Sequence, residues 1–208
     1  MVTGMMDLSS SSRRLYLTPQ FFSNKPVERL LGEAIDFITQ QPMVIVGSVA
    51  PNGRVWASAL FGKPGFLQAQ DDHILRLTIS QSSMTTDEPL WNNVNYKPQV
   101  GLLLIDLTSR RRLRINGVMR HAQAADYVID VERAYPNCPK YIQRRQWKMP
   151  GAATPTSTKR SRRGKQLDAE QQTWIAQADT FFVASAHPEQ GVDASYRGGL
   201  PGFDLFRC

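Results

Sequence analysis

Apolar residues near the start of the chain recur at helical spacing and then switch to strand spacing. Leu30, Leu31, Ala34, Ile35 and Ile38 follow a period near 3.6 behind Pro26, and Pro42 closes that helix. Met43 to Val49 is a short apolar run and Val55 to Phe61 a second. The Asn52-Gly53 pair between them tolerates the positive φ angles of a tight hairpin, so the two runs are expected to pair antiparallel. His73 to Ile79 reads as another strand after the Asp71-Asp72 turn. Asp87 is placed to cap a short helix that takes Pro89 in its first turn.

Val100 to Leu107 is almost wholly apolar, the pattern of a strand buried on both faces, and Arg111 to Met119 is its expected hairpin partner. In that partner Arg112 and Arg114 point to one face, Leu113 and Ile115 to the other. Tyr127 to Arg133 fits a strand or a helix. Leu167 to Ala178 is expected to be helical, with Asp168 and Gln171 forming a capping pair. Many antiparallel strands with few helices point to a mainly β fold with a few helices, closed as a barrel so that no edges are exposed.

The first hairpin recurs. Residues 44–66 align without a gap on residues 181–203, at an offset of 137, with ten identities in 23 positions. Average composition gives about one or two by chance. The shared positions include Ser58/Ser195, Ala57/Ala194 and the G-x-P-G-F ending. A duplicated supersecondary unit accounts for this. The division expected is a flexible tail over 1–25, a barrel domain over 26–150, a basic linker over 151–166, and a helix plus first hairpin of a second, incomplete repeat over 167–208. A lone hairpin needs something to pack on. It leans on the first barrel, pairs with another chain, or is the stump of a longer protein, the last being the expectation here.

Charge and cysteine count narrow the function classes. The net charge of +7 invites a nucleic-acid partner, but much of the excess sits in Lys159–Lys165 without interleaved aromatics, which argues against single-strand binding. No apolar run reaches the roughly 20 residues of a membrane span. Two cysteines, Cys138 and Cys208, make no disulfide framework and suit a reducing cytoplasm. The three histidines are scattered, so no metal site is expected.

Several segments together resemble the pyridoxamine 5′-phosphate oxidase-related proteins. They are Trp56-Ala57-Ser58 with Gly62–Phe66, Arg111–Gly117, Tyr135–Gln143 with its N-C-P-K-Y-I-Q core, and Asp193–Phe203. The resemblance runs from about residue 27 to the end. It implies an FMN-binding split β-barrel, with the flavin in a groove shared by two barrels from two subunits or a tandem copy. It implies oxidoreductase chemistry on a small-molecule substrate, carried by the flavin. A haem or a deazaflavin fits an equivalent groove.

A flavin phosphate needs cations or backbone N–H donors, and arginine offers a planar fork of donors. Arg112 and Arg114 are candidates, as is Arg197 beside Gly198 and Gly199, which would let backbone approach a ligand. Ser58 and Ser195 are candidate hydrogen-bond donors to phosphate or flavin edge. In the related oxidases a Ser-Arg-Lys cluster grips the phosphate, whereas the matching stretch here, Ser80–Thr85, has no cation. That departure sets up the alternative, a non-catalytic scaffold or dimerisation module. Cys138, between two prolines, is expected at a rigid turn that starts a short helix. Lys140 beside it could lower the thiol pKa, but inert packing is the commoner role. No catalytic residue is nominated.

Overall fold

The computed structural model describes residues 30, 32–79, 88–123, 126–136, 140–146 and 166–202. The elements run α1 (Gly32–Thr39), β1 (Met43–Val49), β2 (Val55–Phe61), β3 (Leu67–Ala69), β4 (Ile74–Thr78), α2 (Pro89–Tyr96), β5 (Gln99–Asp106), β6 (Arg111–Gln123), β7 (Asp126–Pro136), α3 (Ala169–Gln177), β8 (Thr180–His187) and β9 (Gly191–Gly198). Among the described residues seven strands form one antiparallel sheet in the order β2-β1-β5-β6-β7-β4-β3, and β8 pairs only with β9.

β1 and β2 occupy the predicted residues, in register from Met43 opposite Phe61 to Val49 opposite Val55. The barrel is split rather than closed: among the described residues no ladder joins β2 to β3. The chain instead turns between them through Gly62–Phe66, tied by Gly62 N–H to the Pro42 carbonyl at 3.0 Å. The region left open between strand and helix, 127–133, lies in β7. α2 is capped by Glu88, whose carboxylate accepts from Leu90 N at 3.2 Å, with Pro89 in the first turn. Asp87, Cys138, Ser80–Thr85, the tail and all but the last residue of the linker lie outside the described residues. Residues 142–146 carry no helix after the Lys140–Tyr141 turn.

The barrel interior is filled from every strand. Val44, Val46, Leu60, Leu67, Leu75, Leu77, Leu102, Leu104, Leu113, Ile115 and Ile129 form one core, plugged by Phe37 and Ile38 of α1 and Leu90 of α2. Each such side chain contributes about 1.5–3 kcal/mol by leaving water. The opposite face of β1 and β5 is apolar too. Met43, Ile45, Leu103 and Ile105 meet Ala194, Tyr196 and Phe182 of the second hairpin, with Ile142 closing one side. This second core explains why β5 is apolar along its length. The second hairpin therefore leans on the first barrel, the first of the three arrangements set out above.

The repeat is deeper than the hairpin. At the same offset α3 falls on α1, and Gly199 N–H donates to Asp179 O as Gly62 does to Pro42 O. Gly65 and Gly202, equivalent residues, take φ of 93° and 77°, a region where an L side chain is strained. The two copies pack about a local two-fold. A Cβ on Gly47 would lie 3.3 Å from that of Ala184, its own counterpart, as happens where a local two-fold axis passes. Gly101 of β5 is closer still: a Cβ there would come within 2.4 Å of the Val192 carbonyl oxygen.

Candidate functional site

The outward face of β6 carries Arg112, Arg114 and Asn116, opposite Ile105, Leu103 and Gly101 of β5 in register. That is the face on which β9 lies, so these polar side chains meet the second repeat. Arg114 Nη1 donates to Asp193 Oδ2 at 3.0 Å and its Nη2 to Ser195 Oγ at 3.0 Å. Asn116 Nδ2 donates to the Val192 carbonyl. The Arg114 guanidinium also lies 5.9 Å from the centre of the Tyr135 ring.

Beside this contact is a cleft of about 420 Å³ between the β6–β7 surface and the tip of the second hairpin. Its walls include Asn116, Arg133, Tyr135, His187 and Asp193. Arg133 reaches it because of a bulge. The register shifts between Asn116, opposite Arg133, and Gly117, opposite Val131, which leaves Glu132 unpaired and turns the following residues over. Arg133 Nη2 donates to Gln190 O at 3.1 Å.

Of the residues singled out in the sequence, Arg114 and Ser195 are brought together. Ser58 is engaged elsewhere: its hydroxyl donates to Glu88 Oε1 at 2.6 Å, tying β2 to the start of α2. Arg112 shares the Arg114 face. Arg197 is exposed on β9. Gly198 and Gly199 serve close packing, since a Cβ on Gly198 would fall 2.4 Å from the Tyr141 carbonyl oxygen and Gly199 O accepts from Gln143 Nε2 at 2.7 Å. Sequence reasoning missed Asn116, Arg133, Tyr135 and Asp193. Asn116 was within reach, because it continues the Arg112–Arg114 alternation by one more step.

An FMN requires a cation for its phosphate, a flat surface for its ring, and both donors and acceptors for the ring's polar edge. Arg133 and Tyr135 supply the first two. Arg114 Nε and Asp193 Oδ1 are buried with no hydrogen-bond partner among the described residues, an orphaned donor and acceptor at adjoining residues. The residues fit the group.

A split barrel with a duplicated α-helix and hairpin, and a polar cleft between the copies, defines the class of protein. The family model for pyridoxamine 5′-phosphate oxidase matches residues 30–153, and the chain belongs to that family. No curated protein matches it. Among solved structures it is similar to HupZ of Group A Streptococcus, at 16% identity over 51% of this chain and 93% of that one, with a TM-score of 0.41. A putative pyridoxamine 5′-phosphate oxidase from Lactobacillus delbrueckii matches at 14% over 52% and 95%, TM-score 0.42. The haem storage protein HutZ from Vibrio cholerae matches at 14% over 50% and 89%, TM-score 0.34. Among the described residues no helix is long and apolar enough to cross a membrane.

Proposed function

We propose that this chain is an FMN-binding oxidoreductase acting on a small-molecule substrate, with the flavin held in the cleft between the first barrel and the second hairpin. The observation that carries this is Asp193, which lines the cleft beside Arg133 and Tyr135 and whose Oδ1 is buried without a hydrogen-bond partner among the described residues. The cleft's size falls within the roughly 300–1,000 Å³ of small-molecule sites. Arg133 would hold the phosphate, Tyr135 would face the ring, and Asp193 and Asn116 would orient its polar edge. When bound, the flavin supplies the electron transfer, and the protein's part is orientation and exclusion of water. Family membership supports the cofactor class.

One observation favours a second reading. Arg114 already spends two donors on Asp193 and Ser195, which makes it a clamp between the repeats and suits a scaffold without cofactor. The visible spectrum of the protein after FMN loading and desalting separates the two. Retained flavin bands that Arg133→Ala loses support the first reading. A colourless protein overturns it and leaves the scaffold.

A further inference from the structure

We infer that the second repeat is an acceptor for one apolar β-strand, supplied by another segment of split-barrel type and added antiparallel along the free edge of β8. This inference is independent of the flavin reading and rests on three separate deficits that one strand would fill.

The first deficit is an edge. β1 hydrogen-bonds β2 on one side and β5 on the other, from Val44 opposite Leu104 to Gly47 opposite Gly101. β8, the counterpart of β1, has a ladder only with β9 among the described residues. Its other edge presents main-chain donors and acceptors, the geometry that strand addition uses.

The second deficit is a half-core. Phe37 of α1 is 4% exposed, whereas its counterpart Trp174 is 81% exposed. Val46 is fully buried, and its counterpart Val183 is 42% exposed. Beside them a groove of about 430 Å³ runs along α3 and β8, lined by Trp174, Ile175, Ala178 and Phe181. The helix is poised as a plug, yet none of its residues is buried.

The third deficit lies on the first repeat. Val192 of β9 is 2% exposed because it sits under β5, while its counterpart Val55 on β2 is 40% exposed. Ala57 and Ala59, counterparts of the buried Ala194 and Tyr196, are exposed as well. In the first repeat β5 meets all three requirements at once. It pairs with β1, its inner face (Leu102, Leu104) fills the barrel, and its outer face (Leu103, Ile105) covers β9.

The occupant is therefore apolar on both faces, as β5 is. A second copy does not offer this, since its β5 is paired on both edges and covered on both faces. Joining β8 to β8 of another copy would satisfy the edges but leave β2 uncovered.

The test uses the full chain and a synthetic peptide of residues 97–123, which carries β5 and β6. Three readings are expected on saturation: a one-to-one complex, a blue shift of Trp174 emission that Trp174→Phe removes, and slowed amide exchange in β8. Val183→Lys, at an exposed position, should weaken binding at least about tenfold by burying a charge. Ala57→Lys, on the separate β2 face, should weaken it too. Three results each overturn the inference: no binding, protection confined to α3, or an Ala57→Lys variant that binds as tightly as the wild type. Concentration-dependent protection of β8 in the chain alone assigns the edge to a second copy and overturns it as well.

Discussion

Replacing Gly101 by alanine measures how the second repeat is held. A Cβ at this position would lie 2.4 Å from the Val192 carbonyl oxygen, 2.6 Å from Asp193 Cα and 2.8 Å from the Val192 carbonyl carbon. All three are main-chain atoms, so no side-chain rotation relieves the overlap. Ordinary contact begins near 3.4 Å, so the hairpin must retreat by about 1 Å. A gap of that order forfeits about a quarter to a half of the dispersion attraction across it. Here it opens between Ile45, Leu103 and Ile105 on one side and Ala194 and Tyr196 on the other. Overpacking of this kind costs about 1–3 kcal/mol, and rigid main chain on the receiving side places Gly101→Ala in the upper part, about 2–3 kcal/mol. For a chain of this length that lowers Tm by about 4–12 °C. The sign is itself informative. Gly101 has no positive φ, and without the overlap an alanine there would stabilise by about 0.4–1 kcal/mol through the unfolded state. Chemical denaturation gives the magnitude, and amide exchange should show protection lost in β8 and β9 while β6 and β7 keep theirs. A Gly101→Ala protein as stable as the wild type, or more so, would refute the docking of β9 on β5.

Four further outcomes follow from the same geometry. In a double-mutant cycle of Arg114→Ala and Asp193→Ala, the pair, largely shielded from solvent, should couple by about 1.5–3 kcal/mol, read by urea denaturation. Phe37→Ala should cost about 3–5 kcal/mol, while Trp174→Ala at the equivalent position should leave Tm of the free chain within about 1–2 °C. Ser58→Ala removes the hydroxyl bonded to Glu88 and should destabilise by about 1 kcal/mol, checked by the same titration. The hydrogen bond from Arg76, and then that from Thr78, hold the Asp126 carboxyl below its ordinary value of 3.8. Because the folded-state value is the lower one, this stabilisation is full above 3.8 and disappears as pH falls through the folded-state value. Wild type and Asp126→Asn should therefore differ in denaturation midpoint at neutral pH and converge in acid; a gap that widens in acid would contradict the assignment.

The fold was legible where the alternation was uninterrupted. β1 and β2 could be placed to the residue because an Asn-Gly turn separates two apolar runs. β5 read as doubly buried, although what covers its outer face lies about 90 residues later in the chain. β7 was ambiguous for a physical reason: Tyr127, Ile129 and Val131 are buried on odd positions, the bulge at Glu132 shifts the parity, and Ala134 is buried next. β3 was missed because three residues carry no period. In the site, Arg114 and Ser195 were visible as residue types on predicted strand faces. Their meeting was not, because it depends on the two-fold packing of the repeats. Arg133 and Tyr135 were hidden by the same bulge, which alone decides the face they reach. The helix repeat was present in Leu30/Leu167, Glu33/Glu170, Ile38/Ile175 and Gln40/Gln177, but four scattered identities are too few to see until α3 is found on the same footing as α1.

The outer apolar face of β1 and β5 also sets an order in time. Ile105 is synthesised about 90 residues before Ala194, and at roughly 5–20 residues per second the wait is about 4–18 s. Through that interval a nascent barrel has filled its interior yet still presents Met43, Ile45, Leu103 and Ile105 as a sticky sheet face. β8 and β9 are thus the strands that cover that face, and a chain interrupted before β9 would fold its barrel with the face bare.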